Sequence, residues 1–158
     1  MDGPHGVATD VPPSWLGWRE WLSLPVLGIV AVRTKVDTGA RSSALHVLDQ
    51  EVFMRNGREF VRFLLDTGVS GLPPQPAEAA VLDRRRVTDS GGHTTERIFI
   101  RTRLRLAGQE WDAEVNLTHR RNMLFPMLLG RTALAGRFLV DPASSFLQGD
   151  PPEGLLPP

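Results

Sequence analysis

At 158 residues the chain has the length of one ordinary domain, and an apolar fraction of 41% can fill a sizeable core. Lys plus Arg and Asp plus Glu number 18 each, so the formal charge is zero and no global field draws the protein to nucleic acid or an anionic membrane. The absence of cysteine excludes disulfides and thiolate metal sites, and no basic-then-apolar leader or bilayer-length apolar run is found, so a cytoplasmic protein without membrane contact is expected.

Residues 1–13 and 149–158 are rich in Pro, Gly and Asp with almost nothing to bury, and are expected to be disordered tails flanking one domain at 14–148. Trp15, Trp18 and Trp21 follow an i, i+3, i+6 spacing, which predicts a short helix or 3₁₀ turn capped by Ser14, with the rings packed in the core. Val30, Val32 and Val36 alternate along a half-buried strand that runs into Asp37-Thr38-Gly39, an acid delivered to a tight corner. On its own that tripeptide is equally an ordinary turn. A second strand is expected at 43–48.

Asn56-Gly57 between 51–55 and 58–63 accepts the positive φ values of a type I′ turn and predicts a hairpin with Val52 facing Val61 and Glu51 facing Arg62. Residues 68–76 read as an irregular loop. Over 97–117 the alternation sets Ile98, Ile100, Leu104 and Leu106 against a stripe of Arg97, Arg101, Arg103 and Arg105. A turn at Ala107-Gly108 brings Glu110, Asp112 and Glu114 opposite those arginines, so the stripe is expected to neutralise itself and not to track a polyanion. Residues 123–130 form an apolar run of buried-strand length ending in glycine; 131–135 predict a short helix closed by Gly136, and 137–142 a last strand stopped by proline. Seven or eight short strands and one short helix predict an all-β barrel with a single lobe.

Two separated pieces belong together in one architecture: Val36-Asp37-Thr38-Gly39-Ala40 and, far downstream, Leu128-Leu129-Gly130-Arg131 leading into a helix. Together they resemble the retropepsin-like aspartic peptidases, whose fold is a closed β-barrel. The longer runs from Lys35 to His46, from Asn122 to Leu134 and from Gly136 to Pro142 are similar to one bacterial branch of that group. This branch carries the name ATP-dependent zinc protease and is associated with the RimK-type glutamate ligases; the resemblance spans roughly residues 15–147. It implies that Asp37 is the catalytic acid, that the Thr38 hydroxyl braces the loop against its counterpart in a second copy, and that Gly39 permits the turn. It further implies that Ala40, Arg41, Leu129 and Gly130 border the substrate, and that residues 86–97 form a flap tipped by Ser90-Gly91-Gly92.

Aspartic peptidase chemistry needs two carboxylates sharing one proton. Asp66-Thr67-Gly68 repeats the tripeptide, but it lies too close in sequence to Asp37 for each to have its own flap and apolar-Gly strand, so it reads as a turn. The second acid is then Asp37 of another copy, and a two-fold homodimer acting on a peptide or protein substrate is expected. The branch name promises zinc and ATP, yet there is no His-Glu-x-x-His helix, no phosphate-binding Gly-rich loop with Lys, and His5, His46, His93 and His119 are scattered; neither metal nor cofactor is expected. A metal-dependent protease and a non-catalytic dimeric peptide cradle on the same fold are the competing readings. Arg41 stands where the retroviral enzymes carry acids, and either shifts the coupled titration or selects an acidic substrate; the ligase association points to glutamylated tails.

Overall fold

The computed structural model describes residues 13–119 and 124–155; expectations for 1–12, 120–123 (Met123 among them) and 156–158 lie outside the described residues. The strands are β1 (Ser14–Leu16), β2 (Arg19–Leu24), β3 (Ile29–Val36), β4 (Ser43–Val47), β5 (Asp49–Arg55), β6 (Arg58–Leu65), β7 (Gln75–Ala80), β8 (Asp83–Thr88), β9 (Thr94–Leu106), β10 (Gln109–His119), β11 (Met127–Leu129) and β12 (Phe138–Val140). A 3₁₀ turn at Pro25–Leu27 and one four-residue helix, α1 (Arg131–Leu134), complete the described elements.

The main sheet runs β10-β4-β11-β3-β2-β9-β8, and β10 also pairs with β9, which bends it into a barrel. The circuit is joined between β2 and β9 only by the pair Ser23↔Arg105, so the expected closed barrel lacks a full ladder along that seam. Leu22, Val32, Leu45, Ile100, Leu104, Val115, Met127 and Leu129 fill its interior at 2% exposure or less. The strands β5-β6-β7 form a separate three-stranded sheet, and β1 pairs with β12 in parallel.

Both hairpins expected from the sequence form in the expected register. Asn56 and Gly57 take φ of 53° and 79°, and Val52↔Val61 and Glu51↔Arg62 are partners. In the longer hairpin Glu110↔Arg105, Asp112↔Arg103 and Glu114↔Arg101 pair across β9–β10. Arg103 bonds Asp112 at 3.1 Å and Arg105 bonds Glu110 at 2.9 Å, whereas Glu114 turns away from Arg101 to Arg85 on β8 at 2.7 Å.

Three expectations are corrected. Residues 14–16 and 19–24 are strands with a bend at Gly17-Trp18, because backbone bonds tie the segment in: Val36 N–H donates to Trp18 O, Trp18 N–H to Ser144 O, and β2 pairs along β3. Nor do the three tryptophans share a core: Trp15 is 55% exposed, Trp18 meets Phe125 edge-on at 5.6 Å, and Trp21 stacks on Phe146 at 6.0 Å. Val30 points outward because β3 carries a bulge there: Leu22 pairs with Val32 and Leu24 with Ile29, so Val30 and Ala31 stand opposite Ser23 alone and the alternation breaks; only from Val32 on do Thr34 and Val36 follow the inward face. The loop expected at 68–76 ends at Pro74, and Gln75–Ala80, for which no strand was expected, forms the edge strand β7; it lacks β-branched residues, and its proline is tolerated at a sheet edge.

Candidate active site

The short strand β11 lies between β3, to which it is parallel, and β4, to which it is antiparallel. Its last ladder bond reaches the loop after β3: Asp37 N–H donates to Leu129 O at 2.9 Å. Asp37 Oδ1 then accepts the Gly39 N–H at 2.9 Å, closing an Asx turn that fixes the carboxylate, and Ala40 N–H returns to Asp37 O at 3.3 Å. Asp37 is half-buried, while Thr38 and Gly39 are exposed at the tip.

Gly130 is required by close approach. A Cβ there would lie 2.5 Å from Ser42 O and 2.6 Å from Ser42 C, so the backbones of loop and strand pass with no room for a side chain. Past this point the chain fastens the loop to α1. Arg131 N–H donates to Ala40 O (2.7 Å), Thr132 N–H and Oγ1–H to Arg41 O (3.2 and 2.9 Å), and Arg131 Nη1 to Thr38 O (3.3 Å). Thr38 and Arg131 also border a shallow apolar groove walled by Leu134, Phe138 and Leu139.

A buried polar chain behind the loop was not foreseen. Gly130 N–H donates to Ser43 Oγ at 3.0 Å, Asn116 Nδ2 to Ser43 O at 3.0 Å, and Arg97 Nη1 to Asn116 Oδ1 at 3.2 Å. Ser43 and Asn116 are at most 1% exposed, so these bonds satisfy groups that would otherwise be costly to bury. The available signal was Asn116 standing between Val115 and Leu117 in an otherwise apolar stretch. His46 on β4 is 5% exposed and donates Nδ1–H to Phe125 O at 2.7 Å, which commits that nitrogen to the backbone. Among the described residues no three His, Asp or Glu side chains stand together as metal ligands, so they offer no donor set that fits a zinc site.

The structure brings Asp37, Thr38, Gly39, Ala40 and Arg41 together with Leu129 and Gly130. Ser90, Gly91 and Gly92 lie apart, at the exposed tip of the β8–β9 hairpin, and no hydrogen bond joins that tip to the Asp37 loop among the described residues. Asp89 organises the tip: its Oδ1 accepts the N–H groups of His93 and Gly91, both at 2.9 Å. These bonds, the His93 N–H foremost, hold the Asp89 carboxyl below its ordinary range. Asp66 Oδ1 accepts Gly68 N–H at 3.0 Å, an Asx turn like that of Asp37, with Thr67 buried beside β3 and its carbonyl accepting Arg33 N–H at 2.8 Å.

A single-lobed β-barrel that braces an Asp-Thr-Gly loop on an apolar-Gly strand has the architecture of the retropepsin-like class. The chain belongs to the RimB-like family, described as retropepsin-like aspartic endopeptidase RimB, which it matches over residues 15–151. It is 37% identical over 142 residues to a protein of Shewanella pealeana and 39% identical over 138 residues to one of Parasynechococcus marenigrum, each named probable alpha-L-glutamate ligase. Either alignment takes in 85% of this chain, yet the chain spans only 30% and 29% of the length of those relatives. A crystal structure of a protein of unknown function from Legionella pneumophila superposes with a TM-score of 0.70 at 25% identity, covering 85% of this chain and 97% of that one.

Proposed function

We propose that this chain is an aspartic peptidase that works as a two-fold homodimer, with the two Asp37 carboxylates meeting on the axis and sharing one proton. The observation that carries this reading is the Asp37 turn. Gly39 N–H holds Oδ1, the loop is anchored to Leu129 and to α1, and Thr38 is left at the tip with its hydroxyl outside the hydrogen bonds of the described residues. The ionised Asp37 removes a proton from a water whose oxygen adds to the scissile carbonyl carbon, while the protonated Asp37 gives its proton to the carbonyl oxygen. Collapse of the resulting diol returns a proton to the acid pair, transfers one to the amide nitrogen and breaks the C–N bond. The pair titrates as a unit, so no single value belongs to either copy.

Support for a second copy comes from the surface beside the loop. Trp15 and Leu139 are register partners, 55% and 45% exposed, and Leu139 walls the groove that reaches Thr38. The proposed substrate is a glutamate-rich or glutamylated protein tail, because relatives named for glutamate ligation carry a region like this chain as a minor part of their length. Purified protein incubated with glutamylated and plain peptides, wild type beside Asp37→Asn, tests the reading. Cleavage that the substitution abolishes, that survives chelator and that falls away with the dimer in sedimentation supports it; an active monomer, or equal absence of cleavage in both proteins, overturns it.

A further inference from the structure

The outer faces of this protein pair their arginines. Arg103 bridges Glu110 and Asp112 at 3.2 and 3.1 Å, Arg84 meets Glu59 at 2.7 Å, and Arg55 meets Glu78 at 3.1 Å. With acids and bases in equal number, such pairing is the ordinary outcome. Around the Asp37 loop it fails. Lys35, Arg41 and Arg131 are exposed, and none of them is in an ion pair among the described residues. Arg58 and Arg86 share that lack; what sets the loop cations apart is that the carboxylate among them, Asp37, is already held by Gly39 N–H.

Arg41 has the firmest base of the three. Its carbonyl accepts both the N–H and the hydroxyl of Thr132, at 3.2 and 2.9 Å, so its backbone is fixed to α1 one residue from Arg131, whose own backbone N–H holds Ala40 O at 2.7 Å. A guanidinium on a fixed backbone, with its N–H fork unclaimed among the described residues, matches the planar geometry of a carboxylate. We infer that Arg41 binds a carboxylate side chain, Glu or Asp, of the peptide next to the bond presented to Asp37, with Lys35 and Arg131 adding positive field. The inference rests on the peptidase reading of the same loop. Two-fold symmetry gives each end of the cleft its own Arg41, so acidic residues on both sides of the bond are read. The zero net charge and the small cluster favour a peptide over a nucleic acid backbone, which needs an extended cationic track.

Two fluorogenic peptides that differ only in Glu or Gln on both sides of the scissile bond test this, by the ratio of their kcat/KM values on one enzyme. Wild type is expected to prefer the Glu peptide by about ten-fold or more, with the preference shrinking as salt rises. Arg41→Gln brings the ratio toward one, and Arg41→Glu inverts it. A general folding defect lowers both rates and leaves the ratio in place, so the ratio reports charge recognition alone. A wild-type ratio of one, or an unchanged ratio in Arg41→Gln, overturns the inference while equal cleavage of both peptides leaves the peptidase reading standing. Conversely, if neither peptide is cleaved but the Glu peptide binds in fluorescence anisotropy and Arg41→Gln abolishes that binding, the peptidase reading fails and the role of Arg41 holds.

Discussion

The chain contains the tripeptide Asp-Thr-Gly twice, and both copies close the same side-chain bond, with Asp37 Oδ1 on Gly39 N–H at 2.9 Å and Asp66 Oδ1 on Gly68 N–H at 3.0 Å. Everything around the two turns differs. At the first, Asp37 N–H caps the β11 ladder at Leu129, Gly130 passes against Ser42, and Thr38 is exposed. At the second, Thr67 is 1% exposed with its hydroxyl accepting Val69 N–H at 3.3 Å, and Gly68 takes a φ of +84°, where a Cβ would lie 2.8 Å from Arg33 Cβ. Local sequence thus decides the turn, and the strand it leans on decides whether the acid is presented or merely used to close a corner.

The contrast is broken most directly at the acids. Asp37→Asn is expected to lower peptide cleavage by about a thousand-fold or more, the loss of a general base, whereas Asp66→Asn keeps it within about two-fold. Comparable losses from both would show that the two turns are not functionally distinct.

The glycines separate the turns by mechanism. Gly130→Ala forces a Cβ to 2.5 Å from Ser42 O and should cost about 1–3 kcal/mol in urea denaturation together with cleavage. Gly68→Ala strains a left-handed residue and should cost about 1–2 kcal/mol while the remaining folded protein keeps its specific activity. Ser43→Ala leaves Gly130 N–H without its buried acceptor, for a loss of about 1–3 kcal/mol by the same measurement.

The threonines sharpen the comparison further. Thr38→Ala should weaken self-association, seen in sedimentation equilibrium, with monomer stability unchanged within about 0.5 kcal/mol. Thr67→Ala should do the reverse, lowering stability and leaving association in place.

Smallest is the pH response of the hairpin tip. The folded Asp89 carboxyl lies below its unfolded range, so the unfolded chain binds more protons in between. The turn's added stability is therefore present above the unfolded value and lost as pH falls through the folded one. Amide exchange at Gly91 and His93 should accelerate over that acid window, and Asp89→Asn should flatten the dependence.

The hairpins at 51–63 and 97–117 were readable because turn residues and alternation specify pairing locally: Asn56-Gly57 and Ala107-Gly108 supply the positive φ values, and one-residue errors would expose the apolar face. Asp37 with Gly39, and the apolar-Gly strand at Leu129-Gly130, were readable as motifs for the same reason. The tryptophan segment was not, since its i, i+3 spacing looks helical until β3 and residue 144 supply backbone bonds that hold it in two strands. Val30 turned outward through a bulge in its own strand, visible only in the pairing of β3 with β2, and Ser43, Asn116 and Arg97 form a chain only because β4, β10 and β9 lie side by side. Sequence by itself determined where the chain turns and which residues alternate, because those depend on neighbours within a few positions. Tertiary structure alone decided how tightly the Asp37 turn is held against Leu129 and Gly130, because that depends on a strand some ninety positions away, and on a contact too close for any side chain but glycine's hydrogen.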